Sequence, residues 1–163
     1  MGALKQALGA LHLAEMRTIR RQGLAADLAG GVDYNLFTVT GGVKIHMMFG
    51  HVTTVIANVA NLLRLRFTPT VTGAPVWLCA ASATIALDAV NTLYVWPGTI
   101  AGQLIPSTNI GQVTTNLIPW VGNSILLVPG VIDMDLAGGA GSGIIDWYIL
   151  YTPCFSGAEI TIL

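Results

Sequence analysis

Two periodicities divide the chain. Over residues 3–22 the apolar positions recur at helical spacing, so that Leu4, Ala7, Leu8, Leu11, Ala14, Thr18 and Ile19 share one face, with Glu15 intruding. Lys5, Gln6, Arg17, Arg20 and Arg21 fall on the other face, and the cations near its C-terminal end suit the helix dipole. Gly23 is a stop signal and Gly30-Gly31 a hinge, which predicts a helical arm over residues 1–31. An isolated helix of this length is marginal in water. The arm is therefore expected to anchor on a neighbouring surface through Leu4, Leu8, Leu11 and Ile19, with Arg17, Arg20 and Arg21 seeking acids there; the competing readings fold the helix back over its own sandwich as a lid or lay it on a membrane.

From Val32 onward the period is two. Leu36–Thr40 is rich in β-formers, and Gly41-Gly42 is a hairpin turn signal. Val43, Ile45, Met47 and Phe49 alternate with Lys44, His46, Met48 and Gly50, after which the apolar parity moves to Val52 and Ile56. That shift predicts a β-bulge at Gly50-His51, because one extra residue turns every later side chain over. Leu63, Leu65 and Phe67 alternate with Arg64, Arg66 and Thr68. Further strands are predicted at Val76–Ala80, Thr92–Trp96, Gln112–Ile118, Ser124–Val128, Val131–Leu136, Ile144–Tyr151 and Glu159–Ile162, and the Ala-rich residues 80–90 allow one short helix. Many short strands at close spacing predict an antiparallel β-sandwich or barrel over residues 32–163.

Composition sharpens this picture. Charged residues are 9% of the 163, far below the roughly 25% usual in soluble domains. The uncharged stretch Ala89–Ile132 is broken by Asn, Gln and Pro, so no membrane span is expected. Glu15, Arg17, Arg20 and Arg21 follow where a small-residue cleavage site would be expected, so no signal peptide is expected either. Cys79 and Cys154 alone imply no disulfide framework; two buried thiols are expected. All seven Lys and Arg precede Phe67, against three acids there; the remainder carries five acids and no cation. The halves stand at +4 and −5 (7 − 3 and 0 − 5), which favours pairing between them, within a chain or between copies.

A search for chemistry yields little. The Gly138–Gly143 run lacks the Lys-Ser/Thr of a phosphate loop and reads as a flexible hairpin loop. His12, His46 and His51 have no Cys or carboxylate at metal-ligand spacing, so no metal or cofactor is expected. Asp133 and Asp135 share one face of a strand whose other face carries Ile132, Met134 and Leu136. Such a pair serves some hydrolases, but a solvated or interface-facing strand edge is the simpler reading. Arg64 and Arg66 are the cationic counterpart at the same spacing, expected to meet Asp133 and Asp135 or the acids of a partner. Nucleic acid is not an expected partner, because aromatic interleaving is missing and the net charge is −1. Trp77, Trp96, Trp120 and Trp147 are expected in packing rather than in a sugar platform.

Several segments, taken in order, resemble a group of small tailed-bacteriophage virion proteins. They are Leu36-Phe37-Thr38-Val39-Thr40-Gly41-Gly42, Gly50-x-Val52-Thr53-Thr54, Val76-x-Leu78-Cys79-Ala80 and Ala89-Val90-x-Thr92-Leu93, then Pro129-Gly130-x-Ile132 and Ile145-x-Trp147-x-Ile149-x-Tyr151-x-Pro153. The resemblance covers residues 36–163 and leaves out the arm. It implies a β-rich, non-enzymatic capsid decoration or cement protein on the head surface, made in the host bacterial cytoplasm. Its implied partners are the major capsid protein and copies of itself, as a homotrimer. With the periodicity it predicts a sandwich of jelly-roll type. A tail or fibre component, or a carbohydrate-binding receptor module, is the alternative, and a hydrolase using Asp133 and Asp135 a third reading.

Overall fold

The structure is a computed structural model, and it describes residues 16–28, 33–71, 73–106, 124–139 and 141–163. The protein is mainly β, built from two antiparallel sheets, with almost no helix among the described residues. The strands are β1 (Arg17–Arg21), β2 (Tyr34–Thr40), β3 (Val43–Thr54), β4 (Asn61–Pro69), β5 (Val76–Trp77) and β6 (Leu93–Val95), followed by β7 (Ile105–Pro106), β8 (Ile125–Leu127), β9 (Gly130–Gly138), β10 (Ile144–Pro153) and β11 (Glu159–Ile162). One 3-10 turn, Ala25–Leu28, lies between β1 and β2.

Sheet A runs β1-β10-β3-β6-β7, with β8 on the start of β3, and sheet B runs β11-β2-β9-β4-β5. The long strands that follow one another in sequence lie in different sheets: β2 and β3, β3 and β4, β9 and β10, β10 and β11. The tight Gly41-Gly42 turn, with Gly41 at φ 68, therefore carries the chain across the sandwich instead of closing a hairpin. The same correction applies to Gly138–Gly143, which joins β9 to β10. A Cβ on Gly138 would lie 2.3 Å from Ala60 O, so a close backbone approach, not flexibility, accounts for this glycine.

Alternation makes the core. Leu63, Leu65 and Phe67 of β4, Ile132, Met134 and Leu136 of β9, and Phe37 and Val39 of β2 face inward from sheet B. Ile45 and Met48 of β3 and Ile145, Trp147 and Ile149 of β10 face them from sheet A. Register shifts in the β3–β10 pairing come between Leu150 and Tyr151 and between Ile144 and Ile145, opposite His46 and Thr53. The parity changes at His46-Met47, so Met48, Gly50 and Val52 are buried; the expected bulge at Gly50-His51 is misplaced by a few residues. The Ala-rich segment is not a helix: residues 80–90 form turns and isolated bridges, Leu62↔Thr84 and Ala80↔Gln103. The predicted strand Gln112–Ile118 and Trp120 lie outside the described residues.

The arm needs correction where it is described. Arg17–Arg21 is a strand hydrogen-bonded to β10, with Ile19 opposite Ile149 and Arg21 opposite Trp147. Thr18 and Ile19 are β-branched, and the open edge of β10 offers a ladder that an isolated helix lacks, so tertiary pairing overrides the helical spacing. Leu28 is fully buried in the core cluster. Residues 17–28 thus pack on the body, while Leu4, Leu8, Leu11, His12 and the Gly30-Gly31 hinge lie outside the described residues.

Candidate interaction surfaces

Sheet B turns a charged ladder outward. In the β4–β9 register Arg64 stands directly opposite Asp135 and Arg66 opposite Asp133, the positions from which opposite charges in adjacent strands interact most directly. The Arg64 Nε donates to Asp135 Oδ2. Arg66 Nε donates to Asp133 Oδ2 at 3.1 Å and its Nη2 to Asp33 Oδ2 at 2.5 Å. The Thr68 hydroxyl donates to the same Asp133 oxygen at 2.9 Å. The indole of Trp77 lies 3.5 Å from the Arg64 guanidinium carbon and 5.8 Å from that of Arg66, which clamps both side chains in place.

The four charges expected from the sequence therefore meet across strands of one chain. They do not form a strand edge, because β9 is the middle strand of sheet B. Asp133 is only 2% exposed. Burial lowers the pKa of Arg66, but the hydrogen bonds to Asp33 and Asp133 outweigh it and raise the value. Asp33 and the stacking on Trp77 were not foreseen; nothing in the linear spacing ties residue 33 or 77 to residue 66.

The outer face of sheet A is different. Tyr148 stands opposite Phe49 and Leu150 opposite Met47, four half-buried side chains pointing away from the core. The Phe49 and Tyr148 rings stack at 4.7 Å between centroids and 6° between planes. Val95, opposite Phe49 on β6, is buried but stands apart from the core cluster. Leu126 lies on the same side, opposite Lys44, and is largely exposed. Polar groups border this strip. His46 Nε2 and the Thr152 hydroxyl are 2.9 Å apart, and burial followed by the charge of Lys44 lowers the His46 pKa. At the β1 side Arg20 Nη2 donates to Asp146 Oδ2 at 2.7 Å and lies over the Tyr148 ring.

The arm cations find partners inside the chain. Asp146 also accepts from the Gly23 backbone N–H at 2.8 Å, and its hydrogen bond with Arg20 raises the arginine pKa. Arg21 and Asp27 form a buried pair, Nη1 to Oδ2 at 2.5 Å, and Asp27 further accepts from the Leu24 N–H at 2.9 Å. Ile19 packs against the core. Ile19 and Arg21, expected to grip an outside surface, are taken up by the body instead; Arg20, though paired with Asp146, stays largely exposed, as does Arg17 on β1.

The remaining candidates are quiet. His51 Nε2 and Asn91 Oδ1 are 3.1 Å apart. The Tyr94 hydroxyl donates to Asp88, and burial followed by that bond raises its pKa. Cys79 is buried and its pKa is pushed up to about 11 by burial, whereas Cys154 is exposed, against the expectation of two buried thiols. Trp96 and Trp147 are core residues. Among the described residues no cluster of three His, Cys, Asp or Glu is placed to hold a metal, and no helix is long and apolar enough to cross a membrane. No family model, curated protein or solved structure matches the chain.

Proposed function

We propose that the chain is a non-enzymatic structural protein of a tailed-bacteriophage virion, a capsid decoration or cement protein that binds and stabilises the head shell. The single observation that carries this reading is the nesting of the strand pairs. β2 pairs β11, β3 pairs β10, β4 pairs β9 and β6 pairs β7. Nested pairing is what a long antiparallel ribbon gives when it is rolled into two sheets, and it supports a jelly-roll reading, an architecture used by viral capsid and lectin domains. Here β2·β9 and β3·β6 complete the sheets. The sequence segments that resemble phage virion proteins fall on β2, β3, β5, β9 and β10 and on the approach to β6, so the resemblance follows the elements that make the sandwich.

In this reading the protein is a homotrimer seated on the major capsid protein. The stretch ahead of β1 is a helical arm that ties each copy to its neighbours. The test is a particle reconstruction with the purified protein added to undecorated heads. Density for the sandwich on the head surface, with heads that withstand heating better, is expected. Density on the tail instead, or binding to a glycan array without binding to heads, contradicts it and favours the tail or receptor-module reading.

A further inference from the structure

We propose that the outer strip of sheet A is the seat for residues 3–15 of a neighbouring copy, so that the assembly is held by exchanged arms. The seat is the apolar row Met47, Phe49, Tyr148 and Leu150. It is the counterpart of the charged ladder on sheet B; Arg20 lies over the Tyr148 ring at one side, and the rest is half-buried apolar surface of a kind stabilised by cover.

The point where the chain enters the sandwich indicates the occupant. Residues 1–15 lie outside the described residues, and they lead directly into β1, the edge strand of sheet A. Their sequence presents Leu4, Ala7, Leu8 and Leu11 at helical spacing. A helix over residues 3–15 has a length of about 20 Å at 1.5 Å per residue. Four strands, β1 to β6, span about 14 Å at 4.8 Å per step. The stripe is therefore long enough to cross the whole strip.

The junction with β1 indicates which copy it covers. β1 begins with Arg17 opposite Tyr151, at the end of the sandwich where β10 finishes. A strand that starts there is entered from beyond that end. To lie on its own sheet, the arm needs a reversal between residues 14 and 17, but Ala14-Glu15-Met16-Arg17 contains no Gly, Pro, Asn, Asp or Ser. A segment of that composition does not favour the reversal, so on this proposal the arm runs outward to the face of another molecule. The proposal requires self-association but not the virion reading, so its failure would leave the particle reconstruction unaffected.

Cross-linking in the full-length chain tests this. Cys154, the exposed thiol, is first replaced by Ser to remove a competing partner. Chains carrying Leu8→Cys are then mixed with chains carrying Leu150→Cys and oxidised gently. A disulfide-linked heterodimer is expected, and a single chain with both substitutions is expected to form covalent multimers. A fast-migrating, internally linked monomer overturns the exchange. An equal cross-link to Leu62→Cys, exposed on sheet B, or no cross-link at all overturns the seat. As a second reading, Leu4→Glu with Leu8→Glu in the full-length chain is expected to raise the Kd for self-association at least a hundredfold, with the melting temperature at dilutions where the chain is monomeric unchanged; an unchanged Kd overturns the proposal.

Discussion

The two outer faces of the sandwich use the same device, cross-strand neighbours in direct register, for opposite purposes. On sheet B the register puts Arg64 against Asp135 and Arg66 against Asp133, and Asp33, Thr68 and Trp77 complete the set. Asp33, Asp133 and Asp135 each accept from an arginine of this set, so the ladder is stable in water without a partner. On sheet A the register puts Leu150 against Met47 and Tyr148 against Phe49. Those pairs stabilise each other but leave apolar area that only another surface removes. The comparison teaches that the few charges of this chain are not spread evenly: on sheet B Arg64, Arg66, Asp33, Asp133 and Asp135 are grouped where they satisfy one another.

The largest effect expected is on sheet B. Asp133→Ala leaves Arg66 without its buried partner on the central strand, and removing one member of a buried pair costs about 3 kcal/mol; urea unfolding at neutral pH reads it. A loss well under 1 kcal/mol would mean that Asp33 alone suffices for Arg66 and that the ladder is ornamental to stability. On sheet A the same experiment is expected to show little. Leu150→Glu exchanges an outward side chain and is expected to cost under about 1 kcal/mol of folding stability, while sedimentation shows the assembly dissociating at micromolar concentration. If Leu150→Glu unfolds the protein, the strip belongs to the fold and not to an interface.

Smaller effects sharpen the contrast. A double-mutant cycle on Arg64 and Asp135 is expected to give a coupling under about 1 kcal/mol, because both side chains keep some contact with solvent. Repeating it in a Trp77→Ala background is expected to reduce the coupling further, since the indole no longer holds the guanidinium. The smallest effect concerns pH. His46 borders the sheet A strip with its pKa lowered below 6.5. The unfolded chain therefore takes up the proton more readily, so its contribution to stability is complete above that pH and declines as the pH falls through the lowered value. His46→Gln is expected to flatten that slope in denaturation midpoints between pH 7.5 and pH 5; an unaltered slope would assign it elsewhere.

Much of the strand content was legible because alternation survives in the sequence. Glu159–Ile162 is β11 as predicted, and the inward set Ile132, Met134 and Leu136 is in place. The pairing of Arg64 and Arg66 with Asp133 and Asp135 was legible as one of two options, since equal spacing on two strands allows direct register. Sheet membership was not legible. Alternation says which residues face inward but not which sheet carries them, so Gly41-Gly42 and Gly138–Gly143 read as hairpins although they cross the sandwich. The apolar strip of sheet A was hidden by the misplaced bulge, which put Met47 and Phe49 on the core side. β1 was hidden because Arg17–Arg21 forms a strand only when the edge of β10 is available.

The most direct test of the account is hydroxyl-radical footprinting of the full-length protein at concentrations below and above its self-association. Met47, Phe49 and Tyr148 report on sheet A and Trp77 on sheet B, and all four are readily oxidised side chains. The account predicts that oxidation of Met47, Phe49 and Tyr148 falls several-fold as the protein assembles while that of Trp77 stays constant. Protection of Trp77 with sheet A unchanged would contradict it, as would assembly that protects neither face.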